Sequence, residues 1–184
     1  MSNPGGFALR KAQTADGAAI SDLIARSIRK LGLSDYSPEQ IERALTGAFG
    51  LDTQLVQDGT YYLAESGGRL VGCGGWSFRR TLFGSDTRGQ RDASSLDPAV
   101  DAARIRAFFV DPEVARSGIG SAILAQCEAD ALAQGFGRTE LMATLPGIRL
   151  YAARGYAGTQ RILYPLGDGI SIEFLPMSKT LRPA

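Results

Sequence analysis

The residues that could do chemistry together lie between positions 108 and 121, in the run FFVDPEVARSGIGS. An apolar segment ends at Val110, Asp111-Pro112 breaks it, and Gly118-Ile119-Gly120 opens a helix. The first turn of a helix exposes unpaired N–H groups and a partial positive charge, so it seats anions. Glycines at 118 and 120 let an anion approach the backbone closely, and Arg116 adds a formal charge beside them. A pyrophosphate suits that design. It is not a Walker A loop, because no Gly-Lys-Ser/Thr follows. Nor is it the dinucleotide fingerprint, since Ile123 stands where the third glycine belongs.

Composition removes several other chemistries. The 184 residues include no histidine, which excludes His general bases, Ser-His and Cys-His pairs and the usual transition-metal sites; no metal is expected. Cys73 and Cys127 are far apart, form no C-x-x-C pattern and read as reduced, buried thiols. With 44% apolar residues, 21% charged residues and a net charge of +1, the chain reads as one globular domain over 1–184. That balance gives no global attraction to nucleic acid or to a membrane. Seventeen of the 20 basic residues are arginine, a bias that suits phosphate contacts and that G+C-rich coding also produces. The start MSNPGG lacks the segments of a signal peptide, and no run of 18 apolar residues occurs; a cytoplasmic location is the expectation.

The elements that must position the 108–121 run follow from periodicity and breakers. Phe7 to Lys11 reads as a strand. A helix capped by Thr14 or Asp16 carries Ile20, Leu23, Ile24, Ile28 and Leu31 on one face and stops at Gly32. Ser37, Pro38 and Gln40 form a capping-box start for a second, short helix. Tyr61 to Glu65 and Leu70 to about Leu82 form a hairpin around Ser66-Gly67-Gly68. Residues 84–101 are polar and turn-rich, a connection or a substrate lid. Then come a strand from Ala103 to Val110, a helix from Gly118 to about Gln134, and a strand from Thr139 to Thr144. A short helix from Pro146 to Arg154 follows, then strands around 160–164 and 170–179. The order predicts an α+β fold with a mixed sheet, antiparallel in front and with one strand-helix-strand crossover.

Val110-Asp111-Pro112, five residues and then Gly118-Ile119-Gly120 resembles the acyl-CoA-binding motif of the GNAT superfamily of N-acyltransferases. A second signature, Tyr-x-x-x-Gly-aromatic, is matched by Tyr151 to Tyr156. The resemblance implies a mostly antiparallel twisted sheet of about seven strands flanked by about four helices. It implies acetyl transfer from acetyl-CoA to a primary amine of a small molecule or peptide, and a homodimer through the C-terminal strands would suit the family. Carried onto this sequence, Phe108 and Val110 offer backbone groups to the pantetheine, and the Val110 N–H faces the thioester carbonyl. Residues Ala115, Arg116, Ser117, Gly118, Ile119, Gly120 and Ser121 hold the pyrophosphate, and Tyr151 protonates the departing thiolate. Two positions depart from the pattern: Ala115 replaces an Arg or Gln, and Thr144 replaces an Asn that contacts the pantetheine arm.

A protonated amine must lose a proton before it attacks. Without histidine a carboxylate or polarised water remains, and Glu65, Asp101, Glu140 and Glu173 are the candidates. Ser27, Tyr36, Tyr62, Trp76, Arg104 and Arg106 are candidates for the acceptor pocket, and the two arginines, on one strand face, could receive an acidic acceptor. Tyr156 and Trp76 read as core. The alternatives are a CoA-binding sensor of the same fold without catalysis and an unrelated nucleotide-binding protein.

Overall fold

The computed structural model describes residues 6–81, 86 and 92–182. In chain order the strands are β1 (Ala8–Lys11), β2 (Tyr61–Ser66), β3 (Arg69–Ser77), β4 (Ala103–Val110), β5 (Arg138–Thr144), β6 (Ile162–Gly167) and β7 (Ile170–Thr180). The helices are α1 (Gly17–Leu31), α2 (Pro38–Leu45), α3 (Thr53–Gln57), α4 (Ile119–Ala133) and α5 (Ile148–Ala153). One sheet runs β1-β2-β3-β4-β5-β7-β6, and β4–β5 is its parallel pair. The expected α+β architecture is present, with five helices where about four were expected.

Local sequence explains most of the helix boundaries. The Ser37 hydroxyl accepts from the Gln40 N–H, and the Gln40 side chain returns a bond to the Ser37 N–H, so both orphan donors of the α2 start are satisfied. In α1 the stripe Ile20, Leu23, Ile24 and Ile28 is at most 4% exposed, each burial contributing roughly 1.5–3 kcal/mol. Helix α3 was not expected, because five residues are too few to display a helical period; Asp52 caps it by accepting from the Leu55 N–H.

The two faces of the sheet carry separate cores. Helices α1 and α2 and Leu55 of α3 cover one face together with Tyr61, Leu63, Cys73, Ile172 and Phe174. Helix α4 and Tyr151 of α5 cover the other, together with Trp76, Ile105, Leu141 and Met177. The second strand of the hairpin ends at Ser77 rather than near Leu82, which lies outside the described residues; beyond it Arg79 pairs singly with Ser95. Most of the expected 84–91 part of the long connection also lies outside them. Described Asp86 accepts from the Thr53 N–H and hydroxyl at the start of α3.

Strand β4 carries the feature that makes a site. Between Arg106 and Phe109 it places two residues opposite the single Gly74 of β3, a bulge in which Ala107 takes φ 60°. The bulge reverses the side-chain alternation: Ala103 and Ile105 lie on the α4 face before it, and Phe108 and Val110 lie on that face after it. A Cβ at Gly74 would come within 2.7 Å of the Phe108 ring, so this close approach requires glycine. The parallel pairing with β5 covers only Ala103–Thr139 and Arg104–Glu140, and beyond those residues the two strands part.

Candidate active site

The parted ends of β4 and β5 open into a cavity of about 860 Å³. Its wall brings together Phe108, Val110, Ala115, Arg116, Gly118, Ile119, Gly120, Ser121, Thr144 and Tyr151, all named from the sequence. Ser117 is the exception: its hydroxyl turns back to donate to the Val114 carbonyl at 2.7 Å, and it does not line the wall.

At the end of β4, the Asp111 N–H donates to the Val71 carbonyl at 2.9 Å. The alternation of an antiparallel ladder then turns the N–H and C=O of Val110, opposite Gly72, away from β3 and toward the gap left by β5. These are the backbone groups an extended ligand can pair with. Asp111 itself is 1% exposed; its carboxylate accepts from the Glu113 N–H at 3.0 Å, from Arg69 at 2.8 Å and from Arg26 at 3.3 Å. Burial pushes its pKa up, but these donors outweigh burial and hold it below the usual carboxylate range. The turn leading to residues 115–121 is thereby fixed to β3 and to α1.

That turn delivers a helix start with unpaired backbone donors. Gly118 caps α4 with φ 88°, a left-handed conformation in which most side chains are strained, and a Cβ there would meet nothing within 4 Å. The Ala122 N–H donates to Gly118 O as the first bond of the helix, so the N–H groups of Ile119, Gly120 and Ser121 have no partner within it. Gly120 serves a different need, since a Cβ there would approach Leu150 of α5 to 3.0 Å. Arg116, Arg149 and Arg154 stand in the wall around this end, and Arg154 Nε donates to the Ser121 hydroxyl at 3.1 Å. Backbone donors and three guanidiniums fit a polyphosphate. Arg149 and Arg154 were not singled out from the sequence, although both lie within or beside the Tyr151–Tyr156 signature.

Two tyrosines of that signature differ in their surroundings. The Tyr156 hydroxyl shares a 2.8 Å hydrogen bond with Thr139 and lies in the core, as expected. The Tyr151 ring packs edge-on to Phe108 at 6.2 Å and to Tyr156 at 5.8 Å, while its hydroxyl has no hydrogen-bond partner among the described residues. Burial, with the Cys127 thiol a smaller contributor, holds its pKa well above the usual phenol range. Gly147 keeps room beside it: a Cβ there would stand 3.0 Å from Thr144 Oγ1 and 3.3 Å from the Tyr151 ring.

Other expectations are corrected. Arg104 pairs with Glu140 and Arg106 with the fully buried Asp52 at 2.9 Å, so neither faces the cavity as a receptor for an acidic acceptor. Glu65 pairs with Arg10, Asp101 with Arg80 and Glu173 with Arg161; with Glu140, none of the four base candidates lines the cavity. Trp76 is core at 1% exposure, and the Tyr62 hydroxyl is bound to Asp130 of α4. Ser27 does line the wall, and Tyr36 braces it from behind: its hydroxyl accepts from the Leu145 N–H and donates to the Glu173 carbonyl, both at 2.8 Å. Among the described residues no helix is long and apolar enough to cross a membrane, and no cluster of metal-ligating side chains occurs.

The architecture has counterparts among solved structures. A GCN5-related N-acetyltransferase from Rhodopseudomonas palustris is 23% identical, with 95% of each chain covered and a TM-score of 0.69. The PaiA N-acetyltransferase of Thermoplasma acidophilum, solved with coenzyme A, is 15% identical, with 95% of this chain and 99% of that one covered and a TM-score of 0.66. YncA of Salmonella typhimurium, solved with its cofactor acetyl-CoA, is 16% identical, with 97% and 95% covered and a TM-score of 0.62. No curated protein is similar enough in sequence to count as a relative. The profile of the Acetyltransferase (GNAT) family matches residues 25–156, a span that takes in the bulged strand, the anion seat and the Tyr151 signature, and the chain belongs to that family.

Proposed function

We propose that the whole chain acts as one catalytic unit that transfers an acetyl group from acetyl-CoA to a primary amine by direct attack, with Tyr151 as the general acid. The observation that carries this reading is a single cavity that joins three parts: free N–H groups at the start of α4, outward-facing backbone groups of Val110, and Tyr151 in its wall. Arg116, Arg149 and Arg154 neutralise the phosphates of the substrate, and the gap beside β4 takes its pantetheine arm as an added strand. The Val110 N–H polarises the thioester carbonyl.

In the reaction the amine nitrogen bonds to the acetyl carbon, the C–S bond breaks, and the thiolate leaves. A thiol has a pKa of about 8.5, and a phenol held above its ordinary value of about 10 stays protonated at neutral pH, so Tyr151 carries a proton to give. With the four expected carboxylates outside the cavity, the proton lost by the amine passes to water at the open mouth. The test is Tyr151→Phe, which removes one oxygen and keeps the ring. Turnover falls by roughly 10²–10⁴-fold while CoA affinity holds. The control, Tyr156→Phe, keeps turnover near the parent value. Equal turnover for Tyr151→Phe at saturating amine and across pH overturns the assignment.

A further inference from the structure

The end of the β5–β7 ladder is held open by a side chain from another element. The two strands pair from Arg138–Thr180 to Thr144–Phe174. Ser178 exchanges both its backbone bonds with Ala157 on its other side, so its pair with Glu140 is a non-bonded position of the β5–β7 ladder. Pro176, which has no N–H to give, falls on the next such position, opposite Met142. Bonded positions alternate with these, at Leu141–Met177 and Ala143–Leu175, and the register puts the next at Leu145–Glu173. There the direct bond is replaced. The Leu145 N–H donates to the Tyr36 hydroxyl at 2.8 Å, and that hydroxyl donates to the Glu173 carbonyl at 2.8 Å. Tyr36 is 5% exposed, and burial pushes its pKa up to about 12, so it keeps the proton it donates.

Leu145 is where β5 turns toward the chemistry. It opens the 3-10 turn Leu145–Gly147, and its carbonyl accepts from the N–H of Ile148, the first residue of α5. Tyr151 follows three residues later. Both backbone groups of Leu145 are therefore held, one by Tyr36 and one by α5. Thr144, Leu145, Pro146, Gly147 and Tyr151 all line the cavity, so a shift of this turn is a shift of its wall. Among the described residues no hydrogen bond holds the Tyr151 hydroxyl; its place is set by this backbone and by ring contacts to Phe108 and Tyr156.

Resting on the transfer reading above, we propose that Tyr36 is a positioning residue for acetyl transfer: its hydroxyl, set between Leu145 and Glu173, stops β5 from closing on β7 and fixes the turn that aims Tyr151 into the cavity. Phenylalanine at position 36 leaves the Leu145 N–H and the Glu173 carbonyl facing each other without a bridge. Unpaired, the two groups either draw together or turn toward water, and in both cases Leu145 moves and carries α5 with it.

The experiment is a double-mutant cycle between Tyr36→Phe and Tyr151→Phe in the full chain. Thiol release from acetyl-CoA is followed with 1-aminopentane, glycinamide and an octapeptide with a free N-terminal Ala, and the fastest of the three is kept. CoA binding is measured by calorimetry and folding by circular dichroism. Tyr36→Phe lowers kcat roughly tenfold to a hundredfold, the size of a small misplacement of a catalytic group, with CoA affinity unchanged. In the Tyr151→Phe background the same change alters kcat by less than roughly twofold, because no proton donor is left to misplace. Gln40→Ala breaks a neighbouring tie of α2 to β7, the 2.7 Å bond to the Ser171 carbonyl, and lowers stability with kcat kept. Equal losses from Tyr36→Phe in the two backgrounds overturn the proposal, as does a loss of kcat in Gln40→Ala as large as that in Tyr36→Phe. Two further measurements stand even where Tyr36→Phe does not fold. The Leu145 amide exchanges slowly in the parent, and exchange as fast as an exposed amide removes the bridge. Gly147→Ala, whose Cβ would stand 3.3 Å from the Tyr151 ring, lowers kcat only while Tyr151 is present, and an equal loss without it overturns the control of Tyr151 by the turn. CoA binding by the parent without release from any of the three amines overturns the transfer reading itself, and this proposal with it.

Discussion

The two halves of β4 end in opposite conditions. From Ala103 to Arg106 the strand pairs with β5 at Ala103 and Arg104 and with β3 from Arg104 on, Ala103 and Ile105 are at most 2% exposed, and its two arginines are neutralised by Glu140 and Asp52. After the Ala107 bulge, β5 has gone, Phe108 to Val110 are half-buried, and the nearby Arg116, Arg149 and Arg154 face a cavity. An arginine in the first half holds the fold; one around the second half is free to meet a ligand. The difference is made by partners, since the side chains are the same.

That contrast can be tested by separating stability from binding. The largest effect expected is at Arg106→Ala, which removes the guanidinium beside the buried Asp52 carboxylate and costs about 3–5 kcal/mol by urea unfolding, with CoA affinity of the folded fraction unchanged. A CoA affinity that drops in step with stability breaks the division between the two halves.

Asp111→Asn sits at the junction. Losing charge-assisted bonds to a buried group costs about 1.5–3 kcal/mol and weakens CoA binding as well, because the turn into the anion seat loosens. The pH dependence has a definite sign. The carboxyl lies below its ordinary value of about 3.9 in the folded chain, so the native state binds fewer protons in that window. Its contribution is therefore full above about pH 4 and is lost as pH falls through the folded-state value. Acid unfolding of the variant, followed by circular dichroism, has a shallower pH dependence below pH 4 than the parent.

In the open half, Gly118→Asp puts a carboxylate into the anion seat, where there is room for its Cβ but the backbone is left-handed. CoA affinity falls roughly 10–100-fold by calorimetry, and stability by only about 1 kcal/mol, since Asp tolerates that conformation better than most residues. Gly120 is the poorer probe, because a side chain there presses on Leu150 and disturbs α4–α5 packing along with binding. The smallest effect is at Arg154→Gln, about threefold to tenfold in CoA affinity and smaller still at high salt, as screening of a surface charge requires. Arg104→Gln in the closed half leaves CoA affinity at the parent value. An equal loss from the two arginine variants removes the contrast.

Much of this was legible because its signals are local. The Ser37-Pro38-Gln40 start of α2, the Gly118-Ile119-Gly120 opening of α4 and the Tyr151-to-Tyr156 spacing each act within about one helical turn. A sequence window holds both partners in such cases. Helix α3 was missed because a single turn displays no period, and the reading of β3 ran past its last strand residue, Ser77, through the apolar Phe78.

What the amino-acid sequence determined by itself was every strand and all the helices but α3, the absence of histidine chemistry and the helix start at Gly118-Ile119-Gly120. Only the tertiary structure decided which arginines are spent on carboxylates and which face the cavity, since Asp52 and Glu140 reach them from distant parts of the chain. It also decided that β4 and β5 part after two paired residues, and that Tyr36 closes α2 against the hairpin. Propensity and capping are settled between near neighbours along the chain. Charge neutralisation, strand parting and closure are settled by which distant segments the packed core brings together.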